Sequence, residues 1–368
     1  MNEHSVERAE RAERVERLRA AMHVDGLDAL LVFGQENIRY LTGFSGSAGV
    51  VLVKPAEVVL ISDFRYRLAA ALEAPDARFF ETSDSLVAHL PELLAGVDGV
   101  LGVERTHLYL EQWERLSSAL AIVDHRLVGG MVEPLRMVKS AVEIRAIREA
   151  AALAAASLDY LADSRVVGRT ERDVALDLET WVRRRGSGAV PFTFIVAAGP
   201  RGAMPHAEAS AEPIPPGTLL VVDLGATVDG YASDMTRTFA TGPAESLDEE
   251  VLRIYELTRR AQEAARAAAR PGIPCRDVDA VARGLISDAG YGESFKHGLG
   301  HGVGLNVHEE PRVSERSDDI LAEGMVVTIE PGIYLEGKAG VRIEDSVALT
   351  ATGIEVLTPF AYELVELG

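Results

Sequence analysis

The stretch from 219 to 238, LLVVDLGATVDGYASDMTRT, constrains this chain more than any other. Asp229-Gly230 between two apolar runs is a strong short-range hairpin signal. With those two residues as the loop, position 228 pairs with 231 and Asp223 lies opposite Thr236. Asp234 is then the diagonal neighbour of Asp223 on the same face, within reach of its side chain. A carboxylate closing the run Leu219-Leu220-Val221-Val222 is costly to bury alone. A second beside it is worse unless something positive sits between them. On this stretch alone two readings stand level: one capping and one solvated aspartate, or two acids that share a cation.

Composition narrows the setting. With 368 residues the chain is too long for one ordinary core, so two domains are expected. An apolar content of 47% with 26% charged residues describes a soluble globular protein. A formal charge of −20 argues against nucleic acid or an anionic membrane as partner. Part of it is functional if acids hold metals. The single cysteine, Cys275, excludes an internal disulfide and fits a reducing cytoplasm. Its neighbours Pro274 and Arg276 do not resemble a nucleophile site. The N-terminus, MNEHSVERAERAERVERL, has no apolar h-region, so no signal peptide is expected, and no run approaches a membrane span.

Val15, Leu18 and Met22 at helical spacing predict an amphipathic helix over 5–22. Apolar runs at 29–33, 50–53, 58–61 and 100–103 read as strands, alternating with helical stretches at 67–74 and 84–95. That alternation describes a small α/β domain over residues 1–133. Residues 135–140 mark the crossing into a second domain, 134–368. Helices are expected there at 141–163, 170–185 (Thr170 as N-cap), 248–269 and 276–289. Strands are expected at 191–198, at 218–239 and through 325–358. Helix pair, strands, helix pair, strands suggests an α+β domain of two similar halves.

Residues 297–309 read HGLGHGVGLNVHE. No window fits the dinucleotide glycine pattern, no lysine follows as in a phosphate loop, and the zincin H-E-x-x-H is absent. The glycines instead let backbone pass close to a crowded centre into which His301 points. Two more acids sit in apolar strands: Glu330 ends Met325-Val326-Val327-Thr328-Ile329, and Glu344 follows Val341-Arg342-Ile343. Strand alternation puts Arg342 and Glu344 on one face. Singly, each acid has an ordinary explanation, a turn cap for Glu330 and a pair with Arg342 for Glu344. The recurrence at Asp223, Glu330 and Glu344 is the evidence. Four carboxylates and a neutral imidazole carry −4, which two divalent cations balance. Oxygen-dominated ligands favour Mn²⁺, or Co²⁺, over thiolate-bound structural zinc, while Zn²⁺ stays open.

These motifs, VVDLGATVDGYASDMTRT, HGLGHGVGLNVHE, TIEPGIY and VRIED in this order, resemble the signature of the Xaa-Pro peptidases. These are the aminopeptidase P and prolidase branch of the pita-bread metallopeptidases. The stretches NIRYLTGFSG at 37–46 and DFRY at 63–66 are similar to the creatinase-like domain that precedes the catalytic one. The resemblance implies an α/β creatinase-like domain followed by an α+β pita-bread domain. It implies metal ligands at Asp223, Asp234, His301, Glu330 and Glu344, with Asp223 bridging two ions. His206, His297 and His308 match the family's other active-site histidines; Tyr231, Tyr334 and Arg342 match its supporting residues. An activated water between the metals is the implied nucleophile, Glu330 the proton shuttle and His308 an oxyanion partner. His206 and His297 are the implied proline pocket, and Arg342 orients the acids.

The implied activity is an Xaa-Pro aminopeptidase acting on peptides with proline second, in a cytoplasmic homodimer. The alternative within the family is an Xaa-Pro dipeptidase; the N-terminal motifs look more like the short bacterial aminopeptidase P group. A non-catalytic binding module and a creatinase are disfavoured by the intact ligand set. Methionine aminopeptidase is disfavoured by residues 1–130, which it normally lacks.

Overall fold

The computed structural model describes residues 3–83, 85–121 and 123–368. The chain divides into compact units at Met1–Arg136 and Met137–Gly368, slightly beyond the boundary expected after residue 133. The reason is local. Asn37 Nδ2 donates to Glu133 Oε1 at 2.9 Å and Arg136 Nη1 donates to Asn37 Oδ1 at 2.8 Å, which ties that segment to the first unit.

In the first unit, α1 (Glu3–Val24) buries Val15, Leu18 and Met22, the stripe its spacing predicts. The strands are β1 (Ala29–Val32), β2 (Val50–Val53), β3 (Val58–Ser62), β4 (Arg78–Glu81), β5 (Leu101–Glu104) and β6 (His125–Val128). They form one mixed sheet in the order β4-β3-β2-β1-β5-β6. The helices are α2 (Gln35–Thr42), α3 (Arg67–Glu73), α4 (Leu86–Leu93), α5 (Leu110–Ala119) and, at the crossing, α6 (Glu133–Met137). Residue 84, where α4 is expected to start, lies outside the described residues. Strands β4 and β6 are not evident from sequence because neither is a buried apolar run: Arg78, Glu81, Arg126 and Leu127 are exposed.

The second unit opens with α7 (Ala141–Ala162) and α8 (Glu171–Arg184). A reciprocal box starts α7: Glu143 N–H donates to Ser140 Oγ at 3.3 Å and Ser140 N–H to Glu143 Oε2 at 2.9 Å. Thr170 caps α8 through Asp173 N–H. Strand β7 (Ile195–Ala198) is shorter than the expected 191–198, since Pro191 has no N–H to give a ladder. Then come β8 (Leu219–Leu224), β9 (Thr227–Val228), β10 (Tyr231–Ala232) and β11 (Met235–Ala240), followed by α9 (Glu249–Ala268) and α10 (Cys275–Asp288). The end holds β12 (Gly300–Gly302), β13 (Glu309–Val313), β14 (Val326–Ile329), β15 (Gly332–Leu335), β16 (Ala339–Arg342), β17 (Asp345–Thr350) and β18 (Gly353–Val356). Two sheets, β11-β8-β7 and β13-β12-β14-β17-β18, carry most of these strands. Helices α7 and α8 cover the first through Leu158, Leu178, Val222 and Phe239. Helices α9 and α10 pack against the second through Ile254, Ala282, Val327 and Val347. Helices outside and strands inside leave the inner strand faces to line a cavity.

Candidate metal centre

The hairpin that opens the second unit's first sheet sets the geometry. Val228 pairs with Tyr231, and Asp223 pairs with Thr236 in the same register. Asp229 (φ 48°) and Gly230 (φ 80°) both take left-handed backbone, as a type I′ turn requires. That register brings Asp234 onto the face of Asp223, and ligand atoms of Asp223, Asp234 and Glu344 lie within 4.8 Å of one another. The same limit holds for His301, Glu330 and Glu344, and for Asp234, His301 and His308. Asp223, Asp234, His301 and Glu344 are 8%, 5%, 5% and 1% exposed. The acids that apolar strands carry apart in sequence therefore meet at one buried point.

Hydrogen bonds orient them. Arg342 Nη2 donates to Asp223 Oδ2 at 2.6 Å and its Nε to Thr236 Oγ1 at 3.0 Å. The Thr236 hydroxyl then donates to Glu344 Oε2 at 2.6 Å. Thr328 Oγ1 donates to Glu330 Oε1 at 3.1 Å and accepts from His301 N–H at 3.0 Å. His301 Nδ1–H donates to Gly302 O at 3.0 Å, which turns Nε2 toward Glu330 Oε1, 3.3 Å away, and Asp234 Oδ2, 3.6 Å away. One oxygen of Asp223 (Oδ1) and one of Glu344 (Oε1) are buried without a hydrogen-bond partner among the described residues. Buried carboxylate oxygens are costly when left so. Their directed partners and orphaned oxygens fit a cation-binding centre.

Electrostatics agree. Burial, then the charges of Glu344, Asp223 and Glu330, pushes Asp234 well above the usual carboxylate range. Burial and the same crowd of acids do so for Glu344. Burial raises Asp223 too, against the pull of Arg342. Glu330 goes the other way: burial raises it, but the hydrogen bond and charge of His301 prevail and bring it to about 2. Four acids facing one arginine leave an excess of negative charge that divalent cations offset.

The centre lies in a cavity of about 700 Å³ that includes Phe192, His206, His297, His308 and Arg312 in its wall. His206 sits on the exposed stretch after Pro205, whose carbonyl accepts from Arg342 Nη1 at 3.2 Å. The ring of His308 stands 4.4 Å from that of His301. Partial desolvation, then the neighbouring His301 charge, draws it down to about 4.

Tyr334 and Tyr231 are not among the residues that line the cavity, and His297 is. Arg342 Nη1 donates to Tyr334 Oη at 2.9 Å, and that hydroxyl donates to His297 Nε2 at 3.0 Å, since the ring proton is on Nδ1. His297 Nδ1–H donates to Gly298 O at 2.8 Å. Both ring nitrogens are thereby used, and burial lowers its pKa; His297 forms part of the cavity wall. Tyr334 links His297 to Arg342 from behind that wall. Tyr231 is not at the cavity: its hydroxyl donates to Glu143 Oε1 at 2.9 Å, fastening the hairpin to α7. Thr236 and Thr328 are the orienting groups that sequence reasoning passes over. Their signal is position, two residues after one acid (Asp234) and two before another (Glu330).

Residues 145–351 match the model of metallopeptidase family M24, and residues 14–138 that of the creatinase/prolidase N-terminal domain. The chain is 37% identical to an uncharacterized peptidase of Bacillus subtilis, over 93% of this chain and 96% of that one. It is 36% identical to an Xaa-Pro dipeptidase of Pyrococcus horikoshii, over 94% and 96%. An Xaa-Pro dipeptidase structure from Bacillus anthracis superimposes with a TM-score of 0.93 at 35% identity, covering 97% of this chain and 100% of that one. An X-Pro aminopeptidase structure from Thermotoga maritima gives 0.84 at 35% identity, covering 92% and 97%. With two family models laid end to end on a chain whose inner strands gather these acids, the protein belongs to metallopeptidase family M24 and carries a creatinase/prolidase N-terminal domain.

Proposed function

We propose that the protein is an Xaa-Pro dipeptidase using two divalent ions, with Mn²⁺ the best match to its oxygen-rich donors. Asp223, Asp234, His301, Glu330 and Glu344 would hold the ions, with Asp234 and Glu344 the acids that lie within ligand reach of both Asp223 and His301. When bound, the ions polarise the scissile carbonyl and acidify a water. The chain's own residues do the rest. Thr328 holds Glu330 Oε1, leaving Oε2 to take the proton of the attacking water and return it to the departing nitrogen. That return is needed because a prolyl nitrogen has no N–H and leaves only when protonated. His308, neutral above about 4, donates to the carbonyl oxygen as charge develops there. His206 and the carbon edge of His297 enclose the pyrrolidine ring. The domain division near residues 133–137, a homodimeric assembly and a cytoplasmic location belong to the same reading.

One observation favours the dipeptidase over the aminopeptidase, namely Arg312. It pairs across strands with His301, so it shares the face of a metal ligand. Its side chain is 52% exposed and meets Glu310 only at 4.0 Å. A guanidinium in the wall of the cavity that holds the centre suits the free carboxylate of a dipeptide. The dipeptidase names of relatives support this choice; the aminopeptidase reading keeps support from the Thermotoga structure. The test is hydrolysis of Ala-Pro against Ala-Pro-Ala by Mn²⁺-loaded enzyme, with Arg312→Gln alongside. A dipeptide preference that collapses through KM in the variant is expected. A tripeptide preference untouched by the variant overturns the reading in favour of the aminopeptidase, and inactivity without a chelator effect overturns both.

A further inference from the structure

We propose that the Asp279–Arg283 pair of α10, outside the cavity wall, is the positioning element that sets the preference for proline by fixing the 295–299 loop. The inference rests on the Xaa-Pro reading above. The two residues are one helical turn apart and face inward, where surface pairs of this spacing face water. Asp279 is fully buried. Its Oδ2 accepts from Arg283 Nε at 2.7 Å, and its Oδ1 from Arg283 Nη2 at 2.8 Å and Leu299 N–H at 3.0 Å. The guanidinium also reaches loop carbonyls, Nη1 donating to Phe295 O at 3.0 Å and Nη2 to His297 O at 2.9 Å, while Nε lies 3.6 Å from the exposed Glu315 Oε2. It also lies over the Phe295 ring, 4.4 Å from the centroid, and that ring meets His297 edge-on at 5.0 Å.

A buried ion pair is weak evidence for stability, because desolvation offsets its attraction. This one is turned toward the backbone between Phe295 and Leu299, two side chains that anchor the loop's ends in the core and leave the middle to the clamp. Gly298 and Gly300 have no side chains to pack, yet the loop between Phe295 and Leu299 presents His297 and Gly298 to the cavity. Because both His297 nitrogens are used, the ring meets substrate through carbon alone. Its effect is therefore shape complementarity, which a displacement of about 1 Å degrades severely. The acids stand on other supports: Asp223 and Asp234 on the hairpin, and Glu344 on Thr236 and on Arg237 Nη1, which donates to its carbonyl at 2.5 Å. Loosening the clamp should spare metal binding and cost selectivity. Leu299 O does accept from Glu330 N–H at 2.8 Å, so a smaller loss in kcat accompanies it.

The experiment compares wild type, Asp279→Asn and Arg283→Lys as Mn²⁺-loaded full-length enzymes on Ala-Pro and Ala-Ala, with metal content and thermal melts on the same samples. Lysine keeps the charge but not the forked donors. The expected result is a fall of about tenfold in the ratio of kcat/KM for Ala-Pro over Ala-Ala, carried by KM, at unchanged metal content. An unchanged ratio, or an equal loss on both substrates, overturns the proposal. A wild type that does not favour Ala-Pro sinks the Xaa-Pro reading, and the inference with it. Amide exchange on wild type keeps the clamp testable even if neither variant folds: the Leu299 amide, which donates to Asp279, should exchange as slowly as α10, and exchange at the rate of an open loop overturns the clamp.

Discussion

Removing the metals should make the protein lose stability as pH rises above about 5, a dependence that the loaded protein lacks. Asp223, Asp234 and Glu344 have folded pKa values raised above the ordinary range. A group raised in the folded state contributes stability below its unfolded pKa, about 4, and loses it as pH climbs toward the folded value. Each such group costs up to about 1.4 kcal/mol per pH unit inside its window, and because the acids repel one another they titrate in succession, which spreads the loss over several units. Glu330, lowered to about 2, has the opposite sign, but its contribution is complete above about pH 5 and flat thereafter. Bound cations keep the acids ionised and remove the slope. Each ion at 100 times its Kd adds about 2.7 kcal/mol, and two add about 5 kcal/mol. At about 2–4 °C per kcal/mol for a unit of this size, the melting temperature rises by about 10–20 °C. Thermal melts at pH 5.5 and 7.5, chelated and Mn²⁺-loaded, measure this. The chelated protein should melt lower at pH 7.5 than at 5.5, and the gap to the loaded protein should widen. A chelated protein that is more stable at pH 7.5, or a gap that does not move, refutes the reasoning.

Thr236→Val keeps shape but removes both the donor to Glu344 and the acceptor of Arg342 Nε. It should lower stability by about 1–3 kcal/mol and weaken metal binding, measured by denaturant titration and calorimetry with Mn²⁺. Gly300→Ala would drive a methyl group into the carbonyl of Thr328, a backbone atom that cannot step aside. Displacement of the adjacent His301 and loss of bound metal are expected, read by metal analysis on folded protein. The Cys275 thiol, fully buried, is pushed up to about 11 by burial first and Asp319 second. It should resist thiol reagents in the native state, and the raised value means stability declines as pH rises from about 9 toward 11. Labelling at neutral pH as fast as in denaturant would contradict that burial.

What was legible in the sequence is what hydrophobic pattern and turn chemistry dictate directly. Asp229-Gly230 specifies a turn, a turn specifies register, and register with period two decides that Asp223 and Asp234 share a face. The strands 50–53, 58–61 and 100–103 are apolar runs and sit within a residue of their expected places. Strands β4 and β6 escaped notice because half-exposed edge strands carry charged residues in place of an apolar signature. The division of labour among the histidines escaped for a different reason. His297 and His301 look alike in HGLGH, and which nitrogens remain available depends on Tyr334 and Gly302, contacts that exist only after folding. Tyr231 adjoins the turn, and only the packing of the hairpin arm on α7 reveals that its hydroxyl serves Glu143 instead of the cavity.

The directions of the hydrogen bonds explain why Arg342 suits its position better than lysine would. Its Nη2 reaches Asp223, its Nε reaches Thr236, and its Nη1 reaches both Tyr334 and the carbonyl of Pro205. An ammonium has three donors on one point and cannot span these groups. Arginine only donates, so each hydroxyl it touches keeps its own proton for the acceptor beyond: Thr236 for the Glu344 carboxylate, and Tyr334 for the unprotonated Nε2 of His297. One side chain thus holds both the hydroxyl that serves an acid of the centre and the one that serves a histidine of the wall. It also fixes the backbone just before His206. The buried oxygens Asp223 Oδ1 and Glu344 Oε1 are those this network leaves unpaired among the described residues, so the same contacts that orient the acids determine which oxygens remain available to a cation.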